Sequence, residues 1–136
     1  MANVLISPRF LFVFVVFILA INIAAISFGW YLTIPWLDNI HHFLGGLWIG
    51  LIGLYLVRHR PGLFTAPDSF IGGLLAILAL TALAGAAWEV YEFVLYGILA
   101  PAPPQFSHAD TISDLCFDLL GGAMAFCLAR KSVFRR

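Results

Sequence analysis

Residues 86–99 read AAWEVYEFVLYGIL, a stretch that places two acidic side chains inside a long apolar run. Glu89 and Glu92 lie one helical turn apart, and no lysine or arginine is near them in the sequence. An ionised carboxylate in the middle of a bilayer costs on the order of 3 kcal/mol on insertion scales, so acidic residues there are functional candidates by default. The rest of the chain must therefore supply something that compensates these two carboxylates.

The composition is that of an integral membrane protein. Of the 136 residues, 62% are hydrophobic and only 10% are charged, and the mean hydropathy is +1.01. A soluble domain of this length could not cover its surface with so few polar side chains. No basic patch with interleaved aromatic side chains lies outside the C-terminal tail, which argues against nucleic acid as a partner.

Four apolar segments predict an all-α polytopic membrane protein, with four transmembrane helices in an antiparallel bundle that forms a single membrane domain. A helix of roughly 20 apolar residues is long enough to cross a bilayer. The predicted domain covers residues 1–136, and its spans are about 10–34, 37–57, 69–99 and 111–129.

The first of these segments also resembles the apolar core of a signal peptide, because the run FLFVFVVFILA is followed by small residues at Ala24 and Ala25. Its apolar run is longer than such a core, which favours an uncleaved spanning helix. Pro35 predicts that this helix ends near Thr33, since a proline disfavours helical conformation in the residue before it.

All lysine and arginine residues fall on one side of the four predicted spans. They are Arg9, Arg58, Arg60, Arg130, Lys131, Arg135 and Arg136. The positive-inside rule predicts that this side faces the cytoplasm of a bacterial inner membrane and that both termini are cytoplasmic. Of the acidic residues only Asp68 lies on this side, and the others lie at the opposite, periplasmic ends of the spans.

Helical spacing groups the acidic residues into stripes on three of the spans. The stripes are Asp38 with His41 and His42, Glu89 with Glu92, and Asp110 with Asp114 and Asp118. Each stripe continues as small residues, which are Gly45 and Gly46, Ala82 and Gly85, and Gly121 and Ala125. Because small residues mark the faces at which membrane helices approach closely, we expect the three stripes to converge.

Convergence of so many carboxylates without lysine or arginine requires either protonation or bound cations. Carboxylates together with imidazole suit Zn²⁺, Mn²⁺ or Fe ions. Two histidines and the acids could hold two ions, as two-metal hydrolysis requires. The candidate divalent-metal ligands are Asp38, His42, Glu89, Glu92, Asp114 and Asp118, and two of them, Glu89 and Asp118, are also the candidate catalytic acid/base groups.

Several polar residues near the stripes have alternative interpretations. Asp110 is typical of a helix N-cap, and His108 of a solvated loop residue. His42 is preferred to His41 as a ligand, although adjacent residues on a helix point only about 100° apart and the sequence does not decide between them. His59 lies between two arginines on the other side of the membrane, away from the acidic stripes.

Cys116 and Cys127 are the two cysteines, and both fall in the last apolar segment. They are about 16 Å apart along a helix, which is too far for a disulfide within one chain. They are therefore predicted to be small apolar packing residues.

Three motifs follow one another in the last three segments. They are D-x-x-x-H-F-x-x-G (Asp38, His42, Phe43 and Gly46), W-E-x-x-E (Trp88, Glu89 and Glu92) and D-T-x-x-D-L-x-x-D-x-x-G (Asp110, Thr111, Asp114, Leu115, Asp118 and Gly121). In this order they resemble the bacterial YjdF-like inner-membrane proteins and, more distantly, VanZ-like membrane proteins. The last motif departs from the YjdF-like spelling, because its glycine–alanine pair, Gly122-Ala123, follows one residue later. The resemblance implies the topology and the choice of site residues, and it implies no reaction.

Three functions are compatible with these patterns. The leading hypothesis is a metal-dependent hydrolase that acts on a lipid-like substrate near the periplasmic surface. The second is a protein that binds or transports cations or protons. The third is an accessory subunit of a larger membrane complex, in which the acids form a structural metal site or a protonated hydrogen-bond network. Membrane lipid is the expected partner, and a homo-oligomer or a larger complex is the expected assembly.

Overall fold

The computed structural model describes residues 2–99 and 108–134 of the chain, and within these ranges it contains helices and no strand. The helices are α1 (Ala2–Leu5), α2 (Pro8–Ser27), α3 (Trp30–Thr33), α4 (Leu37–His59), α5 (Phe70–Leu99) and α6 (His108–Val133). Four of them, α2, α4, α5 and α6, are long and apolar enough to cross a membrane. The predicted all-α fold with four transmembrane helices is confirmed.

The first apolar segment is interrupted after α2. Gly29 has a left-handed backbone with a φ of 65°, and the N–H of Phe28 bonds to the carbonyl of Ala24 at 2.9 Å. A left-handed glycine directly after a helix is a common helix stop. The short helix α3 then ends at Thr33, where Pro35 is predicted to end it. The predicted span 10–34 therefore consists of two helices with a break between them.

Helices α4 and α6 make the closest contact in the bundle, and they run parallel to each other. Gly46 lies against Asp118, and Gly50 lies against Gly122 one turn farther along both helices. A Cβ atom on Gly46 would overlap the backbone carbonyl of Asp118, and one on Gly121 would overlap the backbone of α4. Only glycine allows this approach, as in other small-residue contacts between membrane helices.

Helix α5 packs antiparallel to α6. Gly85 of α5 lies against Asp118. Three turns earlier, Gly73 lies against Phe126, and a Cβ atom added to this glycine would be 3.1 Å from the ring. Below the level of Asp118 these helices enclose an apolar core. Its fully buried members include Leu51, Leu54, Ile77 and Phe126.

Helix α2 lies at the periphery of the bundle and packs against α4. The indole N–H of Trp48 donates a hydrogen bond to the carbonyl oxygen of Leu11 at 2.9 Å. Most of the remaining side chains of α2 are exposed, which a lipid environment accommodates.

The two ends of the bundle differ in charge. The acid end is the end of the bundle that carries Asp38, His42, Glu89, Glu92, Asp114 and Asp118. The basic end is the end that carries Arg9, Arg58, Arg60, Arg130 and Lys131. The acidic set lies at one end of α4, α5 and α6, and the basic set lies at the other end of the bundle, on α2, α4 and α6 and directly after α4.

Candidate metal centre

The imidazole of His42 lies at the centre of the acid end. Its Nε2 atom is 3.8 Å from Oε1 of Glu89, 3.9 Å from Oδ1 of Asp38 and 4.0 Å from Oδ2 of Asp114. These carboxylates come from α5, α4 and α6 respectively. None of the three distances is short enough for a hydrogen bond. The predicted convergence of the three stripes therefore occurs around one histidine nitrogen.

Several polar atoms around this nitrogen are buried without a hydrogen-bond partner. They are Nε2 of His42 itself, Oε1 of Glu89 and Oδ1 of Asp114. A buried polar atom without a partner costs about 1–3 kcal/mol, and more if it is charged. A cation between Nε2 of His42 and Oε1 of Glu89, which lie 3.8 Å apart, would offset the cost of both. Asp114 faces the same nitrogen with its other oxygen, Oδ2.

The spacing of these atoms fits a metal ion. Zn²⁺ binds nitrogen and oxygen ligands at about 2.0–2.2 Å, so two ligands of a tetrahedral site lie about 3.4 Å apart. The distances of 3.8–4.0 Å from Nε2 to the carboxylates are slightly longer. Two overlapping groups have ligand atoms within 4.8 Å of one another, namely Asp38, His42 and Asp114, and His42, Glu89 and Glu92. Small side-chain movements would bring either group to bonding distance.

The other nitrogen of His42 bonds to Asp118. The Nδ1 atom lies 3.2 Å from Oδ2 of Asp118. In the tautomer that carries its proton on Nδ1, this nitrogen donates to the carboxylate and Nε2 presents its lone pair to the cluster. Metal-binding histidines commonly have such a carboxylate partner. Because Nε2 has one lone pair, the arrangement supports one ion at His42.

Asp118 thus lies beside the cluster rather than among the atoms that face Nε2. A Cβ atom on Gly85 of α5 would overlap its carboxylate, and one on Gly45 of α4 would lie 4.0 Å from Oδ1. The two glycines leave room for this carboxylate where three helices meet. Its position is that of a group that orients His42.

His41 faces away from the cluster. It is buried, and its Nδ1 atom lies 3.1 Å from both the hydroxyl of Tyr31 and the carbonyl oxygen of Leu37. Its Nε2 atom is buried without a hydrogen-bond partner. The structure therefore places His42 at the acidic site and ties His41 to α3 and the first turn of α4.

Glu92, the remaining acid of the α5 stripe, is half-buried one turn beyond Glu89. Its carboxylate accepts a hydrogen bond from the side chain of Trp88. Asp110 lies in the first turn of α6 rather than at its cap, and it is exposed. His108 is the exposed first residue of the same helix, and not a loop residue.

Both cysteines are exposed on the outer face of α6. The prediction that they are packing residues is wrong. Cys116 is two residues from both Asp114 and Asp118, which turns its side chain about 200° away from the buried stripe. Neither thiol is placed to join the site.

Two contacts that were not predicted from the sequence hold α4 in place beside the site. The hydroxyl of Tyr31 reaches His41, and the hydroxyl of Ser113 donates to the side-chain oxygen of Asn39 at 3.2 Å. The second contact could have been suggested by pattern, because Asn39 directly follows Asp38 and Ser113 directly precedes Asp114. It joins α4 and α6 beside the acidic cluster.

The comparisons with known proteins agree with this architecture. A family model described as a predicted membrane protein (DUF2238) matches residues 2–133. A comparison with curated proteins and a comparison with solved structures found no match. The YjdF-like proteins, which the three motifs resemble, are this same family, so the resemblance is confirmed. The chain belongs to the DUF2238 family of predicted membrane proteins.

Proposed function

We propose that this protein binds one divalent metal ion inside the membrane, at His42 of the acid end. The observation that carries the proposal is the buried Nε2 atom of His42, which has no hydrogen-bond partner and lies within 4.0 Å of carboxylates from three helices. Nitrogen and carboxylate ligands favour Zn²⁺, Mn²⁺ or Fe²⁺. A single ion would also offset part of the negative charge of the cluster.

The side chains divide into different roles. Asp38, His42 and Asp114 form a set of three ligands, which is the number that catalytic metal sites use when a fourth position is kept for water or substrate. Asp118 holds the imidazole through Nδ1. Glu89 is then the buried carboxylate that is free to exchange a proton beside the ion.

We extend the proposal to hydrolysis of a lipid-like substrate. The side chain of Asp38 is 38% exposed, so the cluster is open toward the acid end of the bundle, at headgroup depth. A divalent ion supplies an activated water and polarises a phosphoryl or acyl oxygen. Glu89 would accept the proton of that water as the general base.

The packing below the site favours hydrolysis over cation transport. Directly below Asp118, Gly46 and Gly121 bring the backbones of α4 and α6 into contact. The next layer contains the fully buried Leu51 and Phe126. A cation that entered from the acid end would have to separate these helices to cross the apolar layer.

We further propose that the acid end faces the periplasm of a bacterial inner membrane. The support is the position of every lysine and arginine of the described residues at or beyond the other end of the spans. A green fluorescent protein fused to the C-terminus is expected to fluoresce, because that protein folds in the cytoplasm. If the green fluorescent protein fusion is dark and a C-terminal fusion of alkaline phosphatase, which is active only in the periplasm, is active, the orientation is the opposite of the one proposed.

The test combines ion content with turnover. Protein purified without chelators is supplied with Zn²⁺, Mn²⁺ or Fe²⁺, and then assayed for bound ion and for hydrolysis of phosphatidylglycerol in mixed micelles. We expect about one ion per chain for the preferred metal, and turnover with that metal. Glu89→Gln should keep the ion and lose about 100-fold or more in turnover, because general-base catalysis contributes at least that much.

The two parts of the proposal fail separately. A wild-type protein that binds the ion but hydrolyses neither phospholipid nor isoprenoid phosphate would overturn the hydrolase assignment alone. A wild-type protein that binds no ion would overturn both parts.

A further inference from the structure

A cavity of about 360 Å³ lies at the basic end, far from the acidic cluster. It is formed by the start of α2 and the last turns of α4, and its lining residues are Ile6, Ser7, Pro8, Tyr55, Arg58 and His59. None of these residues is acidic. Four of them carry side-chain hydrogen-bond donors, and one of the four is a guanidinium group.

The donors of the cavity come from two segments. On α4, the rings of Tyr55 and His59 pack with their centroids 4.8 Å apart. Before α2, the hydroxyl of Ser7 accepts the N–H of Phe10 at 3.3 Å, which leaves its own hydrogen available to a ligand. Ser7 also caps α2, and the start of a helix favours a negatively charged group.

Two further cations flank the lining residues in the sequence. Arg9 and Arg60 are exposed next to the lining residues in sequence. The cavity lies where two spanning helices end, which is the depth of lipid headgroups. Basic groups at this depth attract anionic lipids. The apolar side chains of Ile6 and Pro8 complete a lining that combines one cation with hydrogen-bond donors and apolar groups.

We propose that this cavity binds the phosphate-bearing headgroup of an anionic phospholipid. Arg58 provides the charged contact, since a guanidinium group can bind two phosphate oxygens at once. Tyr55, His59 and Ser7 donate hydrogen bonds to the phosphate and to the headgroup hydroxyls. Ile6 and Pro8 contact the glycerol and the first methylene groups of the acyl chains. This site is independent of the metal centre.

Native mass spectrometry of the delipidated full chain tests the proposal. Phosphatidylglycerol or phosphatidylcholine with the same acyl chains is added, and the bound fraction is compared. We expect a preference of about tenfold for phosphatidylglycerol, which is the size of one charge-assisted hydrogen bond. Arg58→Gln should abolish this preference, and Tyr55→Phe should reduce it. Arg60→Gln is the matched control, because it removes a neighbouring exposed cation that does not line the cavity, and it should keep the preference.

Three results would overturn the assignment. Equal retention of the two lipids by the wild type would show that the cavity does not recognise anionic headgroups. Equal loss in Arg58→Gln and Arg60→Gln would show a general effect of surface charge. Displacement of phosphatidylglycerol by millimolar inorganic phosphate would assign the cavity to a soluble phosphate compound. Because Arg58 is exposed, unchanged helical circular dichroism is expected in all variants and serves as the folding control.

Discussion

Helices α4 and α6 are built differently in two adjacent layers. At the acid end they present His42, Asp38 and Asp114, whose facing atoms lie 3.9–4.0 Å apart and leave Nε2 of His42 without a hydrogen bond. One turn below, Gly46 and Gly121 bring the two backbones into direct contact. The contact layer is satisfied by packing alone, whereas the acidic layer needs a cation or protons. The glycine layer therefore sets the distance between α4 and α6, and hence the size of the acidic site one turn away.

The largest effect is expected from a substitution that forces α4 and α6 apart at the glycine layer. In Gly46→Ala the new methyl group would overlap the backbone carbonyl of Asp118, which cannot move without α6. Overpacking a closely packed interior typically costs about 1–3 kcal/mol, and we expect the upper end of that range or more. Thermal unfolding in detergent and the content of bound ion should both fall.

Gly62→Ala is the matched control, because a Cβ atom on this loop glycine meets nothing within 4 Å. It should unfold at the wild-type temperature. Equal stability of the two variants would contradict the role assigned to the contact between α4 and α6.

A second prediction concerns the link between the two layers, Asp118. Asp118→Ala removes the acceptor for Nδ1 of His42 and should lower the affinity for the ion by about 10–100-fold, as is usual for the carboxylate partner of a metal-binding histidine. Asp118→Asn keeps an acceptor and should recover most of that loss. Competition with a chelator of known affinity measures both. An ion affinity in Asp118→Ala equal to that of the wild type would mean that the carboxylate does not orient the imidazole.

The smallest effect is expected at the contact between α4 and the peripheral helix α2, away from the acidic cluster. Trp48→Phe removes the hydrogen bond to the carbonyl of Leu11, and a neutral hydrogen bond contributes about 0.5–1.5 kcal/mol. Stability should fall by that amount, with ion binding unchanged. Trp36→Phe, at an exposed position, should change neither. Loss of the ion in Trp48→Phe would show that the packing of α2 against α4 also determines the geometry of the site.

The fold and the meeting of the acids were accessible from sequence. Apolar length and composition predict the four spanning helices, and the spacing of Asp38 and His42, or of Asp114 and Asp118, places each pair on one helix face. Gly46 continues such a face as a small residue, which predicts close contact there. These inferences work because the helical period is constant along a chain.

Other features depend on how the helices rotate and pair in space. A rotation of α4 by about 100° exchanges His41 and His42. The contact between Tyr31 and His41 depends on how the chain turns between α3 and α4. The parallel pairing of α4 with α6 joins helices that are not neighbours in sequence. The stop at Gly29 had a local signal, since glycine after a helix commonly ends it, but the long apolar run on both sides outweighed that signal.

The central claim is that the buried Nε2 atom of His42 binds a divalent ion. The most direct measurement is the metal content, by inductively coupled plasma mass spectrometry, of the wild type, His42→Gln and His41→Gln, purified in detergent without chelators. The account predicts about one ion per chain in the wild type and in His41→Gln, and a loss of at least tenfold in His42→Gln. An ion that survives in His42→Gln, or that is lost equally from both variants, would contradict it.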